Sequence, residues 1–278
     1  MNDYLLAVLI GIVEGITEFL PVSSTGHMLV FEQMLGLDLE QDPFWRLFTI
    51  VIQLGAILAV VLLYWRTLAR FVSTFFARTG GGLADKLRHP LILVGLAFLP
   101  SAIAGVTLKK KIDALMEHAL PIGLALIVGG IAIEVIERIT KDRGTTRELD
   151  DVTPGQALGI GVAQVVSLVP GVSRSGATIM GGLLGGVART TATDFSFLLS
   201  IPTMFAAAGY SLLKHHTPLT GEQWGVLAVG FVTAAVTAGL VVAWFLRHVK
   251  THTFRGFVIY RVIAGAAICA AFATGHLH

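Results

Sequence analysis

Read as apolar and polar positions, the chain is a series of long hydrophobic runs separated by short charged segments. Runs at 47–65, 91–108, 121–136, 195–213 and 223–246 read as helices that cross the ~30 Å hydrocarbon layer of a bilayer. A sixth run, 256–275, carries Arg261 near its start, where a long side chain is expected to snorkel to the interface. Two further regions, 4–34 and 153–188, are apolar but broken. In the first, 4–19 leads into a Pro/Gly/Ser-bearing break at 20–26 and a short stretch follows from His27; in the second, 156–169 leads into a break at 170–176 and another short stretch. Each half is too short to span, so the pattern predicts two re-entrant helix hairpins that dip in and return. Unpaired backbone at depth is tolerated only where it lines a protein cavity.

The two broken regions align at an offset of 150: Ala7 with Ala157, Gly11 with Gly161, Glu14 with Gln164, Val22 with Val172, Ser23 with Ser173 and Gly26 with Gly176. Each is followed by three spans. Three is odd, so the second copy must enter the membrane upside down relative to the first, the inverted-repeat plan in which broken helices meet near the midplane. The expectation is an all-α integral membrane protein of one domain, with a first repeat at 1–139 and a second, inverted repeat at 153–278.

Composition supports the membrane reading. Hydrophobic residues make up 54% of the 278 and charged ones 14%, against about 25% charged in a soluble domain. A net charge of +2, with no basic run interleaved with aromatics, excludes a nucleic-acid surface. Cys269, the single cysteine, lies in an apolar stretch and is read as core, so neither a disulfide framework nor a thiolate metal cluster is expected. The start lacks the basic segment of a secretory signal, and the N-terminus is expected to be retained. With the N-terminus outside, the segments 66–90, 138–151, the stretch with Arg189, and 247–255 are cytoplasmic and hold 13 of the 20 Lys/Arg. Five lie outside, namely Arg46, Lys109, Lys110, Lys111 and Lys214. The positive-inside rule favours outside termini, with the run at 109–111 as the dissenting feature.

Polar residues inside this apolar frame carry the chemistry. Glu14 and Glu18 lie four apart and share one helix face. Intramembrane carboxylates mark functional sites by default. Two on one face suit a Mg²⁺ or Ca²⁺ shared with substrate phosphates, although a hydrogen-bonded pair stabilising the hairpin is the structural alternative. Ser23, Ser24 and Thr25 sit at a break before a helix, where hydroxyls often serve only as N-caps. His27, three residues from Ser24, can act as general acid or base. In the second hairpin Ser173, Arg174, Ser175 and Thr178 combine a guanidinium, hydroxyls and a helix N-terminus, a natural anion site. Arg174 can equally form a salt bridge with Glu14 or Glu18. Metal, acid/base group, nucleophile and oxyanion clamp are the parts phosphoryl transfer needs. No P-loop pattern is present.

The stretches EGITEFLPVSSTGH at 14–27 and PGVSRSGAT at 170–178 closely resemble the two signature segments of the undecaprenyl-diphosphatase family, also called the bacitracin resistance protein family. The similarity extends to 48–64 with Gln53, to 194–197, and to Tyr260 and Arg261. The resemblance implies cleavage of undecaprenyl diphosphate to the monophosphate on the outer face of the bacterial cytoplasmic membrane, with a divalent cation. It further implies a functional set of Glu14, Glu18, Ser24, His27 and Arg174, with Ser23, Ser173, Ser175 and Thr178 lining the site. The partner is then a polyprenyl diphosphate lipid, whose removal denies bacitracin its target; the residues leave room for a homodimer. The residues alone point to a phosphate site and could not have named the prenyl chain. Nucleophilic Ser24 and an attacking water both remain open. The competing class is a transporter or flippase of a polyprenyl phosphate, because inverted repeats with broken helices are transporter architecture. An intramembrane serine protease using Ser24 and His27 would explain neither Arg174 nor the paired carboxylates.

Overall fold

The computed structural model describes residues 2–35, 42–77, 86–108, 119–141, 143–214, 218–275 and 277. Among them are eleven α-helices and no strand. These are α1 (Asp3–Thr17), α2 (Ser24–Met34), α3 (Pro43–Leu63), α4 (Trp65–Ala77), α5 (Pro90–Thr107) and α6 (Ala119–Ile139), followed by α7 (Pro154–Val166), α8 (Arg174–Leu184), α9 (Arg189–Lys214), α10 (Gly221–Thr251) and α11 (Arg255–Ala273). Six of them, α3, α5, α6, α9, α10 and α11, are long and apolar enough to cross a membrane. The protein is an all-helical, multi-pass membrane protein. Large apolar side chains such as Leu62, Ile103, Val106, Leu240 and Ile263 stay exposed on these helices, as a lipid-facing surface requires.

Helix starts are written in local sequence. Asp42 accepts from Phe44 N at 2.8 Å ahead of Pro43. Thr153 and Thr220 each form a capping box with the glutamine three residues on. Two differences from the expected boundaries stand out. The first span ends at Leu63 and is followed by a separate helix, α4, where a charged loop was expected. Arg66 and Arg70 on α4 share it with exposed Trp65, Val72 and Phe76, so the segment is an amphipathic helix. The breaks also begin earlier, at 18–23 and 167–173 rather than 20–26 and 170–176.

The two helix–turn–helix pairs, α1–α2 and α7–α8, have helices of 15, 11, 13 and 11 residues. At 1.5 Å per residue the longest reaches only about 22 Å, short of the ~30 Å layer. α1 packs against α10, and α7 packs against α5. Small residues permit both contacts: a Cβ on Gly11 would come to 2.8 Å of Gly230 O, and one on Gly161 would collide with the Ala97 backbone. Gly11 and Gly161 are the pair aligned at offset 150. α3 packs on both α9 and α10, and α6 packs on α11. Cys269 is half-buried at the α6–α11 contact facing Gly123, less enclosed than the core position expected of it. The run at Lys109, Lys110 and Lys111 lies outside the described residues.

Candidate active site

Both turns end in the same unusual backbone. Ser23 has φ 71° and Ser173 has φ 76°, the two positive values among the described non-glycine residues. A side chain in the left-handed region costs of order 1–3 kcal/mol and persists where its surroundings hold it. Here each serine turns the chain directly into a helix, α2 at Ser24 and α8 at Arg174. Ser173 Oγ caps α8 by accepting from Gly176 N at 3.3 Å.

The turns are fastened to each other. Ser175 Oγ donates to Leu20 O at 2.9 Å, and Ser173 Oγ lies 3.4 Å from the same carbonyl. Across that seam the charged groups meet. Arg174 Nη2 lies 3.4 Å from Glu18 Oε1, while its Nη1 donates to Ser196 O at 3.3 Å. Its guanidinium lies 5.5 Å from the centre of the Phe19 ring. Ser24 Oγ donates to the other Glu18 oxygen at 2.6 Å. Glu14, one turn below Glu18 on α1, is buried, and its Oε1 has no hydrogen-bond partner; nor has Arg174 Nε. These orphaned atoms leave unfilled capacity for a cation on one side and an anion on the other.

A polar cavity of about 160 Å³ collects Glu18, Ser23, Ser24, Thr25, Ser173 and Arg174, together with Gln53 of α3 and Ser167. Ser175 and Thr178, expected to line it, are fully buried behind it. Ser175 is spent on Leu20, and Thr178 Oγ1 bonds the Arg174 carbonyl at 2.9 Å and Ser196 Oγ at 2.6 Å. His27 is not brought to this cluster. Its Nδ1 bonds Ser23 O at 2.7 Å, so Nδ1 carries the proton and Nε2 accepts from the Tyr260 hydroxyl. The two rings stack at 5.5 Å and line a second, apolar cavity of about 650 Å³ with Val30, Phe31, Leu126 and Ile268.

Arg261 corrects an expectation. It does not snorkel but is completely buried, donating to Leu126 O at 3.2 Å, Ala125 O at 3.2 Å, Pro21 O at 3.0 Å and Gly171 O at 3.0 Å. The carbonyls left open by the two breaks offer it a polar shell that the interface would otherwise supply. Tyr260, Arg261 and Gln53 lie beside the site although sequence reasoning assigned them no part in it. An arginine inside an apolar run was the available signal for one of them.

Two carboxylates, two guanidiniums and several hydroxyls gathered between broken helices, beside a large apolar cavity, define a membrane protein that handles an anionic amphiphile. The chain belongs to the bacitracin resistance protein BacA family, whose profile matches residues 7–267. It is 44% identical to an undecaprenyl-diphosphatase of Koribacter versatilis (strain Ellin345), over 97% of this chain and 98% of the relative. It is 46% identical to an undecaprenyl-diphosphatase of Novosphingobium aromaticivorans, over 96% and 97%. An undecaprenyl-diphosphatase 1 of Oenococcus oeni (strain PSU-1) is 43% identical over 98% and 97%.

Proposed function

We propose that this protein removes the terminal phosphate of undecaprenyl diphosphate, returning the monophosphate carrier to cell-wall synthesis and thereby conferring bacitracin resistance. The observation that carries the reading is the convergence of Glu18, Ser24, Ser173 and Arg174, from two separate hairpins, on one polar cavity. The names of the full-length relatives support the same substrate. A transporter needs no nucleophile with a base in reach, whereas Ser24 already donates to Glu18 at 2.6 Å.

In this mechanism Arg174 holds two oxygens of the terminal phosphoryl group. Ser24 Oγ bonds to the terminal phosphorus as the bond from phosphorus to the bridging oxygen breaks; its proton passes to Glu18 and from there to an oxygen of the departing undecaprenyl phosphate, which leaves Glu18 ionised again. Undecaprenyl phosphate leaves with the bridging oxygen. Water then attacks the phosphoserine with Glu18 as base, inorganic phosphate departs, and Ser24 regains a proton. His27 holds the Ser23 carbonyl on the side of the apolar cavity, and the prenyl tail runs along the 650 Å³ cavity towards lipid.

Glu14 and Glu18 fit a divalent cation. They supply hard oxygen ligands, and Glu14 Oε1 is buried without a partner. Mg²⁺ or Ca²⁺ bound there would neutralise charge on the diphosphate. The pairing of α1 with α10 and α7 with α5, and the matched Ser23 and Ser173, support two re-entrant hairpins in inverted repeats at 1–139 and 153–278. The cavity is read as opening outside the bacterial cytoplasmic membrane. Purified protein in detergent should release inorganic phosphate from undecaprenyl diphosphate; transport needs two compartments, so absence of release in micelles would favour the flippase.

A further inference from the structure

Arg261 is the largest fully buried side chain among the described residues. No carboxylate there forms a salt bridge with it. Its four bonds go instead to three separate pieces of backbone: Pro21 in the first turn, Gly171 in the second, and Ala125 and Leu126 on α6. A guanidinium has five donors in a fixed plane, so carbonyls bound at its two ends are held at a set separation. Pro21 precedes Ser23 and Ser24 by two and three residues, and Gly171 precedes Ser173 and Arg174 likewise. α6 is shaped to receive it, because a Cβ on Gly129 would lie 3.1 Å from Arg261 Cζ and overlap its terminal nitrogen.

We propose that Arg261 is a positioning residue of the phosphate site, a brace that fixes the spacing between Glu18–Ser24 of one hairpin and Ser173–Arg174 of the other. The proposal rests on the phosphatase reading of that cavity. Arg261 acts through the two turns and touches no substrate. Lysine keeps the charge but is a point donor that cannot span both turns. Gly129→Ala removes no polar group but pushes the guanidinium off α6.

Both variants are purified in detergent and compared with wild type per folded molecule. Misplacement of reacting groups by a fraction of an ångström to 1 Å predicts a fall in kcat of about 10- to 100-fold, with KM changed far less. Spin labels at the exposed positions Ile16 and Val162, in a Cys269→Ser background, report the distance between α1 and α7, which should shift or broaden in both variants. Lower thermal stability with normal kcat per folded molecule would reduce Arg261 to a fold-stabilising residue and overturn the proposal. So would a lower kcat at an unchanged distance. Should Arg261→Lys fail to fold, Gly129→Ala decides. A wild-type protein that releases no phosphate would sink the functional reading, and the distance measurement would then judge the brace alone.

Discussion

At the scale of single residues, the contact between Arg174 and Glu18 joins the hairpins and also tests the chemistry. Arg174→Lys keeps the positive charge beside Glu18 but loses the planar fork that grips two phosphoryl oxygens. Interactions that tighten only in the transition state act on kcat. The variant should therefore lose at least ~10²-fold in kcat, as removal of a preorganised electrostatic donor does, with KM and protein yield little changed. Near-normal turnover would make Arg174 a counter-charge only. The carboxylates give a second prediction: chelation should abolish turnover reversibly, and Glu14→Gln should require a higher cation concentration for half-maximal rate. Full activity in excess chelator would leave Glu14 and Glu18 as acid/base or structural groups. Glu14, Glu18, Ser24 and Arg174 were legible in the sequence because a polar group in an apolar run is costly and must have a reason. Arg261 was misread because its partners, Pro21 and Gly171, lie 240 and 90 residues away, and five residues into a span is within snorkelling range. Nor could spacing tell that Ser175 faces Leu20 while Ser173 faces the cavity.

Among the helices, the six spans were legible from their length and hydropathy; the structure lengthens the runs at 121–136, 195–213 and 223–246 and shifts the other three by a few residues towards the N-terminus. What was not legible is how far the breaks reach back, because Phe19 and Leu20 continue the apolar pattern after α1 has ended at Thr17. The close contacts between helices make a stability prediction. Gly11→Val pushes a side chain into the Gly230 carbonyl, whereas Gly95, with no atom within 4 Å of its would-be Cβ, accepts alanine freely. Overpacking of this kind costs about 1–3 kcal/mol. Gly95→Ala should be neutral or gain up to ~1 kcal/mol from helix propensity. Melting temperatures of the two variants in detergent check this. Equal stability would mean that α1 and α10 do not approach as closely as described. Gly161→Val should behave like Gly11→Val, since the matching contact of α7 with α5 is as tight.

For the whole molecule, charge and packing together bear on the proposed direction in the membrane. The segments that hold most of the Lys/Arg meet at one end of the bundle: Arg70 pairs with Asp150 at 3.1 Å, Arg189 pairs with Glu137 at 3.3 Å and bonds His252 O, and Thr145 N bonds Gly186 O at 2.9 Å. The opposite end carries Tyr4 against Gly225 at the start of α10. In the proposed orientation this Lys/Arg-rich end faces the cytoplasm. Gln53 and Met204, which line the polar cavity, each lie about ten residues from the helix end assigned to the outside, the first from Pro43 and the second from Lys214. A membrane-impermeant maleimide tests the orientation in intact cells, in a Cys269→Ser background. Glu222→Cys, exposed in the first turn of α10, should be labelled, and Thr145→Cys, exposed at the basic end, should react only after the membrane is permeabilised. Glu222 is preferred to its neighbour Thr220, whose side chain caps the helix, so the probe leaves the capping box intact. The reverse pattern would turn the bundle over and move phosphate release to the cytoplasm. Labelling of both positions in intact cells would mean that the chain inserts in two orientations, and the charge asymmetry would then be too weak to fix one.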